Sequence, residues 1–163
     1  MKKLPMENLS SVKMRRIGNG KDFSASVGRL TEKLGMEQMG MSVVELKPGE
    51  KAWPYHLHYG EEELFIIVAG SGTVRYDGSE HKIVEGDVVF TPPGEGTAHQ
   101  IINTSTETLR YLALSTSNDP SFCYYPDSGK YATYTQKEDG EWKAFIAHES
   151  DHRDYYEGET DTD

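Results

Sequence analysis

One cysteine in 163 residues, Cys123, leaves this chain no partner for an intramolecular disulfide. Nor does the sequence contain a run approaching the roughly 20 apolar residues that a membrane-spanning helix needs. Met1-Lys2-Lys3 has the charge of a leader's first residues, but Pro5, Glu7 and Asn8 follow and no apolar h-region develops. Positive charge is scarce: 17 Lys and Arg face 27 Asp and Glu, a net charge of −10. Nucleic acid and anionic membrane both select a basic surface, so neither is expected as a partner. Part of that excess is local, since residues 151–163 carry six carboxylates against one Arg. Long helical periodicity is missing too, and with it any helix-turn-helix pattern. The expectation is a soluble cytoplasmic chain with little helix.

What the sequence does contain is turn chemistry. Sixteen Gly and seven Pro punctuate short β-prone runs. Strands are expected at 39–45, 64–68, 73–76, 81–84, 88–91, 98–102 and 109–115, with two more at 131–135 and 142–147. Lys47-Pro48-Gly49-Glu50 ends the first of these. Asp77-Gly78 is the dipeptide that favours a tight hairpin. Strands of this length at such spacing predict an all-β sandwich or barrel. The core is expected over 39–118, preceded by an arm and edge strand over 1–38. A C-terminal extension over 119–150 is expected to pack on the barrel or on a second copy, before a disordered acidic tail over 151–163.

Chemistry concentrates in Trp53-Pro54-Tyr55-His56-Leu57-His58-Tyr59-Gly60-Glu61-Glu62-Glu63. Side chains two apart on a strand share a face, about 6.6 Å apart along it, so His56 and His58 can lean onto one ion at about 2.1 Å each. Glu63 returns across the Gly60 turn as a carboxylate ligand, with Phe65 and Ile67 on its face. His99, opening the run Gln100-Ile101-Ile102 after a Pro- and Gly-rich turn, is the candidate for a fourth. Glu62 is the alternative carboxylate, and Glu61 reads as a solvated turn residue. His81, His148 and His152 read as surface residues. Cys123 reads as a free, inert thiol with no local base. Trp53, Tyr55 and Tyr59 flank the ligands and can line a substrate pocket together with Phe65.

The wider spacing is informative. Pro48-Gly49 precedes His56-x-His58, Glu63 and Gly70; then Gly86 precedes Pro92-x-Gly94, His99 and Asn103. This double pattern, over about a third of the chain, resembles the two motifs of the cupin superfamily, with slightly longer turns before His56 and His99. Tyr124-Tyr125-Pro126-Asp127-Ser128-Gly129-Lys130 also resembles a segment of small, uncharacterised bacterial cupins. The resemblance implies a double-stranded β-helix, or jelly-roll barrel. It implies one divalent transition metal (Fe, Zn, Mn or Ni) on His56, His58, Glu63 and His99, with positions left open. It also implies a homodimer, and a structural role for Asn103. The functional expectation is a small-molecule enzyme: a dioxygenase with Fe(II), or an isomerase-type Lewis-acid enzyme with Zn, Mn or Ni. No 2-oxoglutarate anchor is legible. The other class is a non-catalytic cupin that binds or senses a small molecule.

Overall fold

Turns that accept positive φ set the strand ends in this chain, and the strands follow. The computed structural model describes residues 4–136 and 141–159. Thirteen strands are present among them: β1 Arg15–Gly18, β2 Ser24–Arg29, β3 Met39–Leu46, β4 Leu57–His58, β5 Glu63–Ala69, β6 Ser71–Tyr76, β7 Ser79–Val84, β8 Val88–Thr91, β9 His99–Ile102, β10 Leu109–Thr116, β11 Ser121–Tyr125, β12 Lys130–Gln136 and β13 Trp142–His148. The single α-helical turn, α1, is Thr31–Leu34. Asp77 and Gly78, at φ 44° and 76°, make the hairpin between β6 and β7. Both central residues have φ > 0, as a twisted two-residue hairpin requires. Gly70, at φ 81°, turns β5 into β6; a Cβ there would lie 2.4 Å from the Thr108 carbonyl oxygen, so no larger residue fits.

All the strand pairings are antiparallel. One sheet runs β1-β2-β3-β10-β5-β8, a second β7-β6-β9 and a third β13-β12-β11-β4. An isolated bridge between His56 and His99 joins the second and third sheets. The main core lies between the six-stranded sheet and the three-stranded one. Val44, Leu46, Phe65, Ile67, Leu109 and Tyr111 come from the former, and Val74, Ile83 and Ile101 face them. Phe65 and Ile67 are buried while Leu64 and Ile66 are partly exposed, which is the expected alternation along β5.

Two strands were not expected. β2, Ser-Ala-Ser-Val-Gly-Arg, has little intrinsic strand preference. It is held by pairing with β3 and by Gly28, where a Cβ would lie 2.5 Å from Val12 Cγ1. β11 owes its place to pairing with β12 on one side and with β4, the strand of His58, on the other. Of the expected disordered tail, 151–159 are exposed: Asp151 closes a 3₁₀ turn that starts at Glu149, and further turns follow. Residues 160–163 lie outside the described residues, as do 1–3 of the expected arm and 137–140 of the extension. No helix among the described residues is long and apolar enough to cross a membrane.

Candidate metal centre

The rows of candidate ligands come from cross-strand pairing. His56 and His99 exchange backbone hydrogen bonds, N to O, at 3.2 and 2.8 Å. That makes them a directly opposed pair whose side chains share a face, and their ring centroids lie 4.8 Å apart. His58, two residues on, turns the same way, with its ring 5.0 Å from that of His56. Glu63, at the start of β5 in the opposite sheet, reaches across to meet them. Its Oε2 lies 2.7 Å from His99 Nε2 and 3.5 Å from His58 Nε2. His56, His58 and Glu63 each offer a ligand atom within 4.8 Å of the others. His99 adjoins that trio through Glu63.

Each imidazole is turned by what its Nδ1 meets. His56 Nδ1 is 2.8 Å from the Pro54 carbonyl and His99 Nδ1 is 3.2 Å from the Thr97 carbonyl. A carbonyl only accepts, so in both rings Nδ1–H is the donor and Nε2 keeps its lone pair. His58 Nδ1 meets side chains: Glu61 Oε2 at 3.3 Å and Cys123 Sγ at 3.2 Å. His99 Nε2 and Glu63 Oε2 are buried and, though 2.7 Å apart, lack hydrogen-bond geometry. Buried polar atoms without a partner are costly. Two such lone-pair atoms facing imidazole nitrogens and a carboxylate are what a divalent cation would satisfy, so the donor set fits a metal.

Electrostatics follow from burial and crowding. Burial, aided by the neighbouring His99, brings His56 down to about 4. Burial would lower His58 also, but its contacts with Cys123 and Glu61 and the charge of Glu63 outweigh it, pushing His58 up to about 10. Burial opposes ionisation of Glu63, yet the imidazoles crowded around it, His99 nearest, hold it below the usual carboxylate range. Phe65, 5.5 Å from His99 by ring centroid, forms an apolar wall, backed edge-on by Tyr111.

Two of the expected pocket residues, Tyr55 and Tyr59, face a different cleft. Tyr55 is buried with Leu57 and Ala98, and Tyr59 packs against that cluster, because alternation turns both away from His56 and His58. They line a separate cleft of about 410 Å³ with Tyr124 and Tyr131. Trp53 is 39 % exposed. Glu62 is exposed, its N–H donating to Thr116 Oγ1. His81, His148 and His152 are exposed.

Glu61 and Cys123 need correction. Glu61 is only 5 % exposed, because the Gly60 turn folds its side chain back under His58. Cys123 is buried beside His58, its register partner across β4 and β11. Both touch the same nitrogen, Nδ1, so they do not form a nucleophile–base–acid relay, which would need one partner on each ring nitrogen. Tyr125, stacked on His56 at 5.9 Å, is a further neighbour absent from the expected set. Glu61 carried a weak signal at three residues from His58; Cys123 and Tyr125 arrive through a pairing 65 residues away in sequence.

Comparison with known proteins agrees with this architecture. Residues 42–115 match the family model described as Cupin domain. An oxalate-binding protein from Thermotoga maritima is 38 % identical over 71 residues, 44 % of this chain and 56 % of that one. The chain thus spans about half the length of the curated relatives it matches. Among solved structures, one from Acidithiobacillus ferrooxidans, provisionally assigned as a sugar phosphate isomerase, superposes with TM-score 0.79 at 26 % identity, covering 92 % of this chain and 96 % of that one. A predicted oxalate decarboxylase from Thermotoga maritima gives TM-score 0.59 at 29 % identity over 68 % and 97 % of the two chains. Residues 42–115 thus form a cupin domain, with an antiparallel double-stranded β-helix and a histidine–carboxylate cluster inside it.

Proposed function

We propose that His56, His58, Glu63 and His99 hold one divalent transition metal ion, Fe, Zn, Mn or Ni. The proposed activity is that of an isomerase-type enzyme on a small molecule with oxygen donors on adjacent carbons. The observation that carries this reading is the pair of buried, unpartnered atoms, His99 Nε2 and Glu63 Oε2, among imidazoles whose Nε2 lone pairs are set free by acceptors at Nδ1. Four protein ligands leave positions open on an ion of this class, as catalysis needs. A bound ion would supply Lewis acidity to a substrate oxygen. The chain supplies the rest. The backbone pair between His56 and His99 fixes the spacing of two ligands, Phe65 keeps water off one side, and Glu63 balances charge. Sugars and oxalate, named for the relatives, share vicinal oxygens, which supports a chelating ligand.

The oxalate-binding relative favours a second reading, a cupin that binds its ligand without turnover. The test is to incubate Zn-, Mn- or Ni-loaded protein with short 2-hydroxyaldehydes in deuterated water and follow the carbon-bound protons by NMR. Exchange with solvent and ketose formation, lost on metal removal, are expected of the isomerase. Stoichiometric oxalate binding without turnover would establish the binder instead. Oxygen uptake confined to the Fe(II)-loaded form would replace both with dioxygenase chemistry.

A further inference from the structure

Three imidazoles enter the cluster in the same way, but one is held differently. Backbone carbonyls two residues upstream accept from His56 and His99, and no side-chain substitution removes them. His58 has no such carbonyl. Its Nδ1 faces the carboxylate of Glu61 and the thiol of Cys123. Glu61 is 95 % buried by its 5 % exposure, and neither of its oxygens makes a hydrogen bond of good geometry. A buried carboxylate without such bonds is costly, so a compensating role is expected of it.

We infer that Glu61 is the positioning residue of His58, holding the proton on Nδ1 so that Nε2 presents its lone pair beside Glu63. Of the two neutral tautomers, the one with a bare Nδ1 would set a lone pair against the carboxylate at 3.3 Å. The other directs N–H between Oε2 and Sγ, both of which accept. Cys123 alone would not decide the matter, because a thiol donates as readily as it accepts. Glu61 thus does for His58 what the Pro54 and Thr97 carbonyls do for the other two rings. Being charged, it does one thing more. With Glu63 it brings the formal charge of a divalent ion and its two carboxylates to zero, and it makes the imidazole a better donor. The consequence is selectivity: a neutral site favours a doubly charged cation and holds an anionic ligand less tightly than a site with one carboxylate.

This inference rests on the metal reading above, and the experiment separates the two. Wild type, Glu61→Gln and Glu61→Met are compared by Zn(II) affinity, by competition with a chromophoric chelator, and by the His58 Nδ1–H signal of the ¹⁵N-labelled, Zn-loaded protein. Gln keeps an acceptor oxygen and Met keeps only the length. The expected result is affinity about 10–100-fold weaker in Glu61→Met, with loss of the protected Nδ1–H signal. Glu61→Gln should keep that signal, lose less affinity, and bind oxalate to its Zn-loaded form more tightly than wild type does. Thermal unfolding of the metal-free variants checks folding, and removal of a buried, poorly partnered charge is expected to leave it intact. If wild type binds Zn(II) and Glu61→Met matches it in both affinity and Nδ1–H signal, the positioning role is wrong. If wild type itself binds no metal, the parent reading has failed instead.

Discussion

At the scale of single residues, His56 and His58 titrate in opposite directions, and the metal-free protein should report both. His58 is raised, to about 10, so the stability it contributes is fully present below the ordinary imidazole value near 6.5 and is lost as pH rises through about 10. His56 is lowered, to about 4, so its contribution is present above about 6.5 and is lost as pH falls through about 4. The metal-free wild type should therefore have its highest melting temperature between those limits. His58→Gln should flatten the alkaline side selectively and His56→Gln the acid side. Thermal scans of chelator-treated protein from pH 4 to 10 check this. An alkaline limb as steep in His58→Gln as in wild type would contradict the assignment. The ligand pattern was legible because strand periodicity and the motif spacing both act over a few residues. The burial of Glu61 was not, because three adjacent glutamates look alike until the turn at Gly60 decides which of them folds inward.

At the scale of elements, the site depends on strands that are too short to stand alone. β4 is two residues long, yet it carries His58, and it is held between β11 on one edge and the His56–His99 bridge on the other. Asn103 secures the far end of β9. Its Nδ2 donates to the carbonyls of Leu46 and Glu107, both at 2.7 Å, and its Oδ1 accepts from Ser105 N–H and hydroxyl. The side chain is fully buried, so Asn103→Ala would strand several backbone groups. It should lower unfolding free energy by roughly 3 kcal/mol, since each buried unsatisfied group costs about 1–3 kcal/mol. Denaturant unfolding checks the magnitude. Metal affinity of the fraction still folded should be unchanged, which marks the residue as structural; a parallel loss of affinity would oppose that role. Nine of the strands were expected within one or two residues because their β-prone runs are bounded by Gly and Pro. β2 and β11 are defined by partners distant in sequence, and propensity alone does not reveal such pairing.

For the molecule as a whole, the exposed apolar residues cluster on edges. β13 ends its sheet, and Trp142, Phe145 and Ile146 on it are 57 %, 65 % and 54 % exposed. An apolar edge strand is an invitation to pairing, and the homodimer we propose would cover it. Static light scattering should then give twice the chain mass of 18.3 kDa, falling to that mass in Phe145→Lys. A wild type that is monomeric at tens of micromolar would remove the dimer from the account.

The most direct test is titration of the chelator-treated protein with Zn(II) and Mn(II), alongside His99→Ala. The account predicts one ion per chain in wild type, and at least about 100-fold weaker binding in the variant, beyond the range for a residue that merely orients a ligand. Equal affinities, or no binding to either protein, would contradict the metal centre itself.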